Sequence, residues 1–136
     1  MKQAVRESRE AEGARPEGGE ILAFDALRGR DADGAYLVTL IAEASGVPAL
    51  LLLHPSRCDA DAADARQLAM YLMHVVLQRP YMEVGRYFGR DRTTVAHACR
   101  RIEDKREERW FESFVLGLEG SLATYLEARE AQRAAS

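Results

Sequence analysis

Arg90, Asp91, Arg92, Thr93 and Thr94 form an unbroken run, followed at helical spacing by His97, Arg100 and Arg101. Guanidinium and hydroxyl groups gathered at the start of a helix supply donors that can reach base edges. Arginines further along such a helix meet phosphates. The chemistry this pattern supports is recognition, not catalysis. No carboxylate pair, nucleophile–base set or metal-ligand spacing stands out, so no catalytic residue, metal or cofactor is assigned. His97 has no Cys or His partner at ligand spacing.

The elements that must hold this run can be built from residues 79–102, RPYMEVGRYFGRDRTTVAHACRRI. Pro80 suits a helix start, where a missing N–H costs nothing. Tyr81, Val84, Tyr87 and Phe88 then follow helical spacing, and Gly89 can end that helix in a left-handed conformation. Asp91 is a good N-cap for the next helix. Val95, Ala98, Cys99 and Ile102 form its inward stripe and leave Thr93, Thr94, His97, Arg100 and Arg101 facing out. Gly85 is small where two helices would cross, Gly89 lies four residues on, and Val95 six further. These offsets describe a helix-turn-helix, which presents its second helix to the DNA major groove.

The remaining chain reads as further helices and the loops between them. Residues 1–20 are polar and Gly-rich and are expected to form a disordered tail. Residues 21–34 read as a short helix (21–27) and a loop (28–34), and residues 35–130 as one domain. Within it, 35–45 is an amphipathic helix ended by Gly46, 49–53 a turn or two of helix, and 54–61 a loop. The strongest helix covers 62–78. A last helix covers 112–129, with Trp110, Phe111, Phe114, Val115, Leu118, Leu122, Tyr125 and Leu126 supplying its buried face. Met70, Met73 and Met82 read as gap-filling core, and Arg100, Arg101, Lys105 and Arg106 as a solvated face. No segment alternates with period two, so the fold class is all-α.

At 136 residues and 47% hydrophobic content, the chain has room for one core. It has no run of 18 apolar residues and no apolar stretch near its start, so neither a membrane span nor a secretory signal is expected. Cys58 and Cys99 are far apart, which fits a reduced, cytoplasmic protein. The net charge of −3 argues against a coat that binds nucleic acid indiscriminately. Residues 79–106 nevertheless carry eight basic side chains against four acidic ones. A locally basic face on an acidic protein suits docking in one orientation.

The strings ARQLAMYLM (65–73) and VGRYFGRDRTTVAHACRRIE (84–103) resemble the C-terminal DNA-binding domain of the bacterial replication initiator DnaA. That domain carries an A-R-Q-[IL]-A-M-Y-L helix and a G-G-R-D-H-T-T-V-x-H-A signature, and the resemblance spans about residues 35–127. It implies a helical bundle with a helix-turn-helix that reads a short double-stranded site like the DnaA box. It implies that Asp91, Arg92, Thr93 and Thr94 face the major groove, with Arg57 the nearest counterpart of a minor-groove arginine. Arg90 and Arg100 join Arg57 as backbone contacts, His74 occupies a position that is often basic, and His97 is phosphate-facing or structural. This chain has one glycine before Arg90 where the family has two, and Arg92 in place of histidine. Its loop HPSRCDADAAD holds one arginine and three aspartates.

No G-x-x-x-x-G-K-[ST] motif occurs, so no bound nucleotide is expected. The expected role is sequence-specific DNA binding in the nucleoid. It would serve transcriptional regulation or modulation of replication initiation without ATPase activity, with a homodimer or clustered sites adding specificity. The acidic loop and net charge motivate the alternative, a protein-interaction module that kept the fold and lost specific DNA binding.

Overall fold

The structure is a computed structural model that describes residues 31–53 and 60–136. The described residues form six helices and no strand. They are α1 (Ala32–Ser45), α2 (Ala49–Leu53), α3 (Ala60–Val75), α4 (Tyr81–Phe88), α5 (Arg92–Lys105) and α6 (Arg109–Ala135). The all-α fold class therefore holds. The 1–20 tail, the 21–27 helix, Arg57 and Cys58 lie outside the described residues.

Helix α1 starts at Ala32, inside the stretch expected to be loop. The reason is Asp31, whose carboxylate accepts from the Gly34 N–H at 3.0 Å and caps the first turn. The apolar stripe that betrays the helix begins only with Leu37, so the polar first turn was not visible as helix. Gly46 ends α1 at φ 74°, with its N–H returned to the Ala42 carbonyl. Ser45, buried, donates its hydroxyl to the Ile41 carbonyl at 2.6 Å.

Helix α3 is the central element, packed against α1, α2, α4 and α5. It begins at Ala60, two residues before the expected start, and ends at Val75, short of Gln78. Gln78 stands at φ 58°, a left-handed residue that turns the chain toward α4. Leu68, Ala69, Met70, Leu72 and Met73 are buried on α3. Arg66 is buried among them because its Nε and Nη2 donate to the Leu52 and Leu51 carbonyls at 2.9 and 2.7 Å. Those carbonyls end α2, so one guanidinium satisfies acceptors that the helix itself leaves open.

Helix α6 is longer than expected, and only Phe111, Val115, Leu118 and Leu122 are buried along it. Trp110 is not part of that face. It is 57% exposed and donates its indole N–H to Glu108 at 2.6 Å. One residue on from Trp110, Phe111 points inward, because successive helical positions differ by about a quarter-turn. Met82 is likewise a surface residue at 58% exposure, on the outer side of α4. Toward its far end α6 returns to α1: the Tyr36 and Tyr125 rings stack at 4.0 Å, and Arg129 pairs with Asp33.

Candidate nucleic-acid interface

Pro80 precedes α4 in an extended conformation (φ −61°, ψ 154°), and Val84, Gly85 and Phe88 are the buried side of this short helix. Gly89 ends it at φ 69°. The N–H groups of Gly89 and Arg90 both point back to the Gly85 carbonyl, Arg90 at 2.8 Å. A Cβ on Gly85 would collide with the Arg90 carbonyl oxygen. Gly85 is therefore required by backbone-on-backbone contact, and the turn after α4 is folded directly onto it.

Helix α5 follows after Asp91, which stands extended (φ −80°, ψ 166°) and accepts from the Thr94 N–H at 2.8 Å. That N–H and the Thr94 hydroxyl hold the Asp91 carboxyl below its ordinary value. Val95, Ala98, Cys99 and Ile102 are buried, the stripe that packs α5 against α3 and α4. Burial raises the Cys99 thiol to about 11, with Glu103 adding to the shift.

Asp91, Arg92, Thr93, Thr94, His97, Arg100 and Arg101 are all exposed, so one helix and its cap gather six of the nine candidate residues. Arg90 is different: it is partly buried, and its Nη1 donates to the Phe88 and Gly89 carbonyls at 3.4 and 3.2 Å. His74 stands apart at the end of α3, its Nδ1 2.8 Å from the Arg79 carbonyl and its ring against Tyr81 at 4.3 Å. Arg57 falls outside the described residues.

Two further arginines shape the site without facing it. Arg79, the residue before Pro80, grips Asp31 through both oxygens. Arg106, just past α5, donates to Tyr71 on α3 and to Glu112 and Glu119 on α6. Arg106 is thus not on a solvated face but at the junction of three helices. Its guanidinium is held more firmly protonated than usual, first by Glu112 and then by Glu119. Lys105 lies 4.6 Å from the centre of the Phe111 ring. The basic excess of residues 79–106 is therefore partly consumed inside the fold. The outward cations are Arg86 on α4 and Arg92, Arg100 and Arg101 on α5. No helical spacing discloses these pairings, because the partners of Arg79 and Arg106 are the cap of α1 and two residues of α6.

Among the described residues, no group of three or more His, Cys, Asp or Glu side chains could hold a metal ion. None of their helices is long and apolar enough to cross a membrane.

Two packed helices whose joining turn folds onto Gly85, a left-handed Gly89 and a capped second helix with an outward polar face define a DNA-binding-type helix-turn-helix. A sequence model of the family described as "Bacterial dnaA protein helix-turn-helix" matches residues 35–102. The chain belongs to that family. The match stops at the end of the α5 stripe, so α6 lies beyond it.

Among curated proteins, the chain is 58% identical over 40 residues to the chromosomal replication initiator protein DnaA of Agrobacterium fabrum, covering 29% of this chain and 8% of that protein. It is 60% identical over 40 residues to the DnaA of Mesorhizobium japonicum, with the same coverage. It is 42% identical over 57 residues to the DnaA of Ralstonia nicotianae, 41% of this chain and 11% of that protein. The chain thus matches about a tenth of the length of these relatives.

Proposed function

We propose that this chain binds double-stranded DNA in a sequence-dependent way, with α5 entering the major groove by its N-terminal end. The observation that carries the reading is the first turn of α5. It is capped by Asp91, fixed from behind by Val95, Ala98, Cys99 and Ile102, and fully open on its Arg92–Thr93 side. A reading head must be rigid at its base and unobstructed at its tip, and this turn is both.

In this reading Asp91, Arg92, Thr93 and Thr94 face base edges, while His97 and Arg100 meet the backbone as it passes α5. Arg90 shapes the turn and lies near a phosphate. Arg57 and His74 remain candidates, for the minor groove and for the backbone respectively. The relatives are replication initiators, which favours sites like the DnaA box and a role in modulating replication initiation or transcription. The family match, over residues 35–102, is to a family described by its helix-turn-helix, which favours a reader that works without nucleotide. One domain touches few bases, so a homodimer or clustered sites would sharpen selection.

Selection of bound duplexes from a random pool tests the proposal, followed by titration of the enriched sequence at two salt concentrations. An enriched motif whose affinity falls with salt supports it, since each phosphate contact steepens the log–log slope by about 0.9. Failure to enrich any motif at moderate salt refutes it and directs attention to protein partners.

A further inference from the structure

The four residues that open α5 divide into two pairs. Asp91 and Thr94 are committed to each other: the Thr94 N–H donates to the Asp91 carboxylate at 2.8 Å, and its hydroxyl bonds the same group. The Thr93 N–H also leans on the Asp91 carboxylate, but the side chains of Arg92 and Thr93 are exposed and make no hydrogen bond or ion pair among the described residues. Arg90, the other cation of the turn, is folded back on the Phe88 and Gly89 carbonyls. Arg92 is therefore the cation of this turn whose donors remain available.

We propose that Arg92 selects a guanine at the base pair facing the first turn of α5; this deepens, and rests on, the reading of α5 as a major-groove helix. Helical Cα–Cβ bonds tilt toward the N-terminus, so a side chain at the first helical position projects ahead of the helix into the groove. The planar guanidinium fork matches guanine O6 and N7 and can hold both at once. A phosphate is the competing partner. The exposed, ionised carboxylate of Asp91 is adjacent in sequence and repels the full charge of an incoming phosphate more than the partial charges of guanine O6 and N7. The balance favours the base edge over the backbone.

The test compares the selected motifs of the wild-type chain and of Arg92→Gln and Arg92→Lys, with circular dichroism confirming that each variant keeps its helices. The wild-type motif should contain one guanine whose replacement lowers affinity ~10-fold. Arg92→Gln should lose that preference and leave the other positions unchanged, and Arg92→Lys should retain only part of it. Replacing that guanine with 7-deazaguanine, which lacks the N7 acceptor, should weaken the wild type and leave Arg92→Gln unaffected. A wild-type motif that Arg92→Gln weakens equally at every position would assign Arg92 to phosphate. It would overturn this inference while sparing the DNA-binding reading. Absence of any wild-type motif would overturn both.

Discussion

Asp31 holds Arg79 with both carboxylate oxygens, at 2.6 and 2.7 Å, across 48 residues of sequence. The same carboxylate caps α1. One side chain therefore starts the first described helix and fixes the residue that leads into α4. Arg79 in turn offers its carbonyl to His74 at the end of α3. The helix-turn-helix is oriented on the bundle by this joint as well as by its apolar stripe.

The joint has a pH signature. Arg79 holds the Asp31 carboxyl below its ordinary value near 3.8, with the Gly34 N–H assisting against the opposing effect of burial. A depressed folded-state pKa gives stability that is complete above the unfolded value and lost as pH falls through the folded one. Asp31→Asn keeps a cap but removes the anion. At pH 7 it should cost about 1–3 kcal/mol, between an exposed and a buried pair. Thermal melts from pH 7 to pH 3 should show the gap to wild type shrinking below about pH 4. A gap that stays constant to pH 3 would deny the ion pair its role.

Gly85 and Gly89 make separable demands. At Gly85 a methyl group would meet the Arg90 carbonyl, which is backbone and cannot rotate away. At Gly89 there is open space, but φ is 69°. Gly89→Ala should therefore cost only left-handed strain, ~1 kcal/mol. Gly85→Ala should cost about 1–3 kcal/mol as overpacking and also displace the start of α5. Denaturant melts give the order of the two costs, and DNA titration should show the larger affinity loss for Gly85→Ala.

What the sequence discloses depends on how local its causes are. Helix α5 was legible because its cap, its stripe and its outward polar groups all lie within residues 91–102. The Gly85–Gly89–Val95 offsets place the tight turn for the same reason, although the backbone packed on Gly85 is the turn at Arg90 and not the second helix. The start of α1 is hidden because Asp31, Ala32, Asp33 and Gly34 carry no apolar period. Trp110 adjoins Phe111, and a shift of one residue in helical phase turns a core position into a surface one. Arg79 and Arg106 read as part of a basic face because no helical spacing links them to Asp31, Glu112 and Glu119.

Cys99 is buried on the α5 stripe, and its thiol sits at about 11. The thiolate is the reactive form, so native Cys99 should resist alkylation at pH 8 and react only on unfolding. Peptide mapping after labelling with and without denaturant measures this. A raised thiol pKa also means stability is lost as pH climbs from the unfolded value, about 8.5, toward 11. Cys99→Ala should remove that alkaline decline while leaving a small cavity cost. Rapid native labelling of Cys99 would show that the stripe opens far more often than its burial implies.

Arg100 and Arg106 separate binding charge from structural charge. Both belong to the basic count of residues 79–106, yet Arg100 is exposed and Arg106 is enclosed by Tyr71, Glu112 and Glu119. If Arg100 meets a phosphate, Arg100→Ala should lower affinity for every duplex alike and flatten the salt slope by ~1. Its melting temperature should hardly change, because nothing in the fold leans on it. Arg106→Ala should do the reverse. It strands Glu112 and Glu119 without their cation, lowers the melting temperature, and leaves the salt slope of the folded fraction intact. Titrations at several salt concentrations, paired with melts of the same samples, resolve the two. A flattened slope for Arg106→Ala would mean that its charge reaches the DNA despite its partners. An unchanged slope for Arg100→Ala would place the backbone on another face of α5.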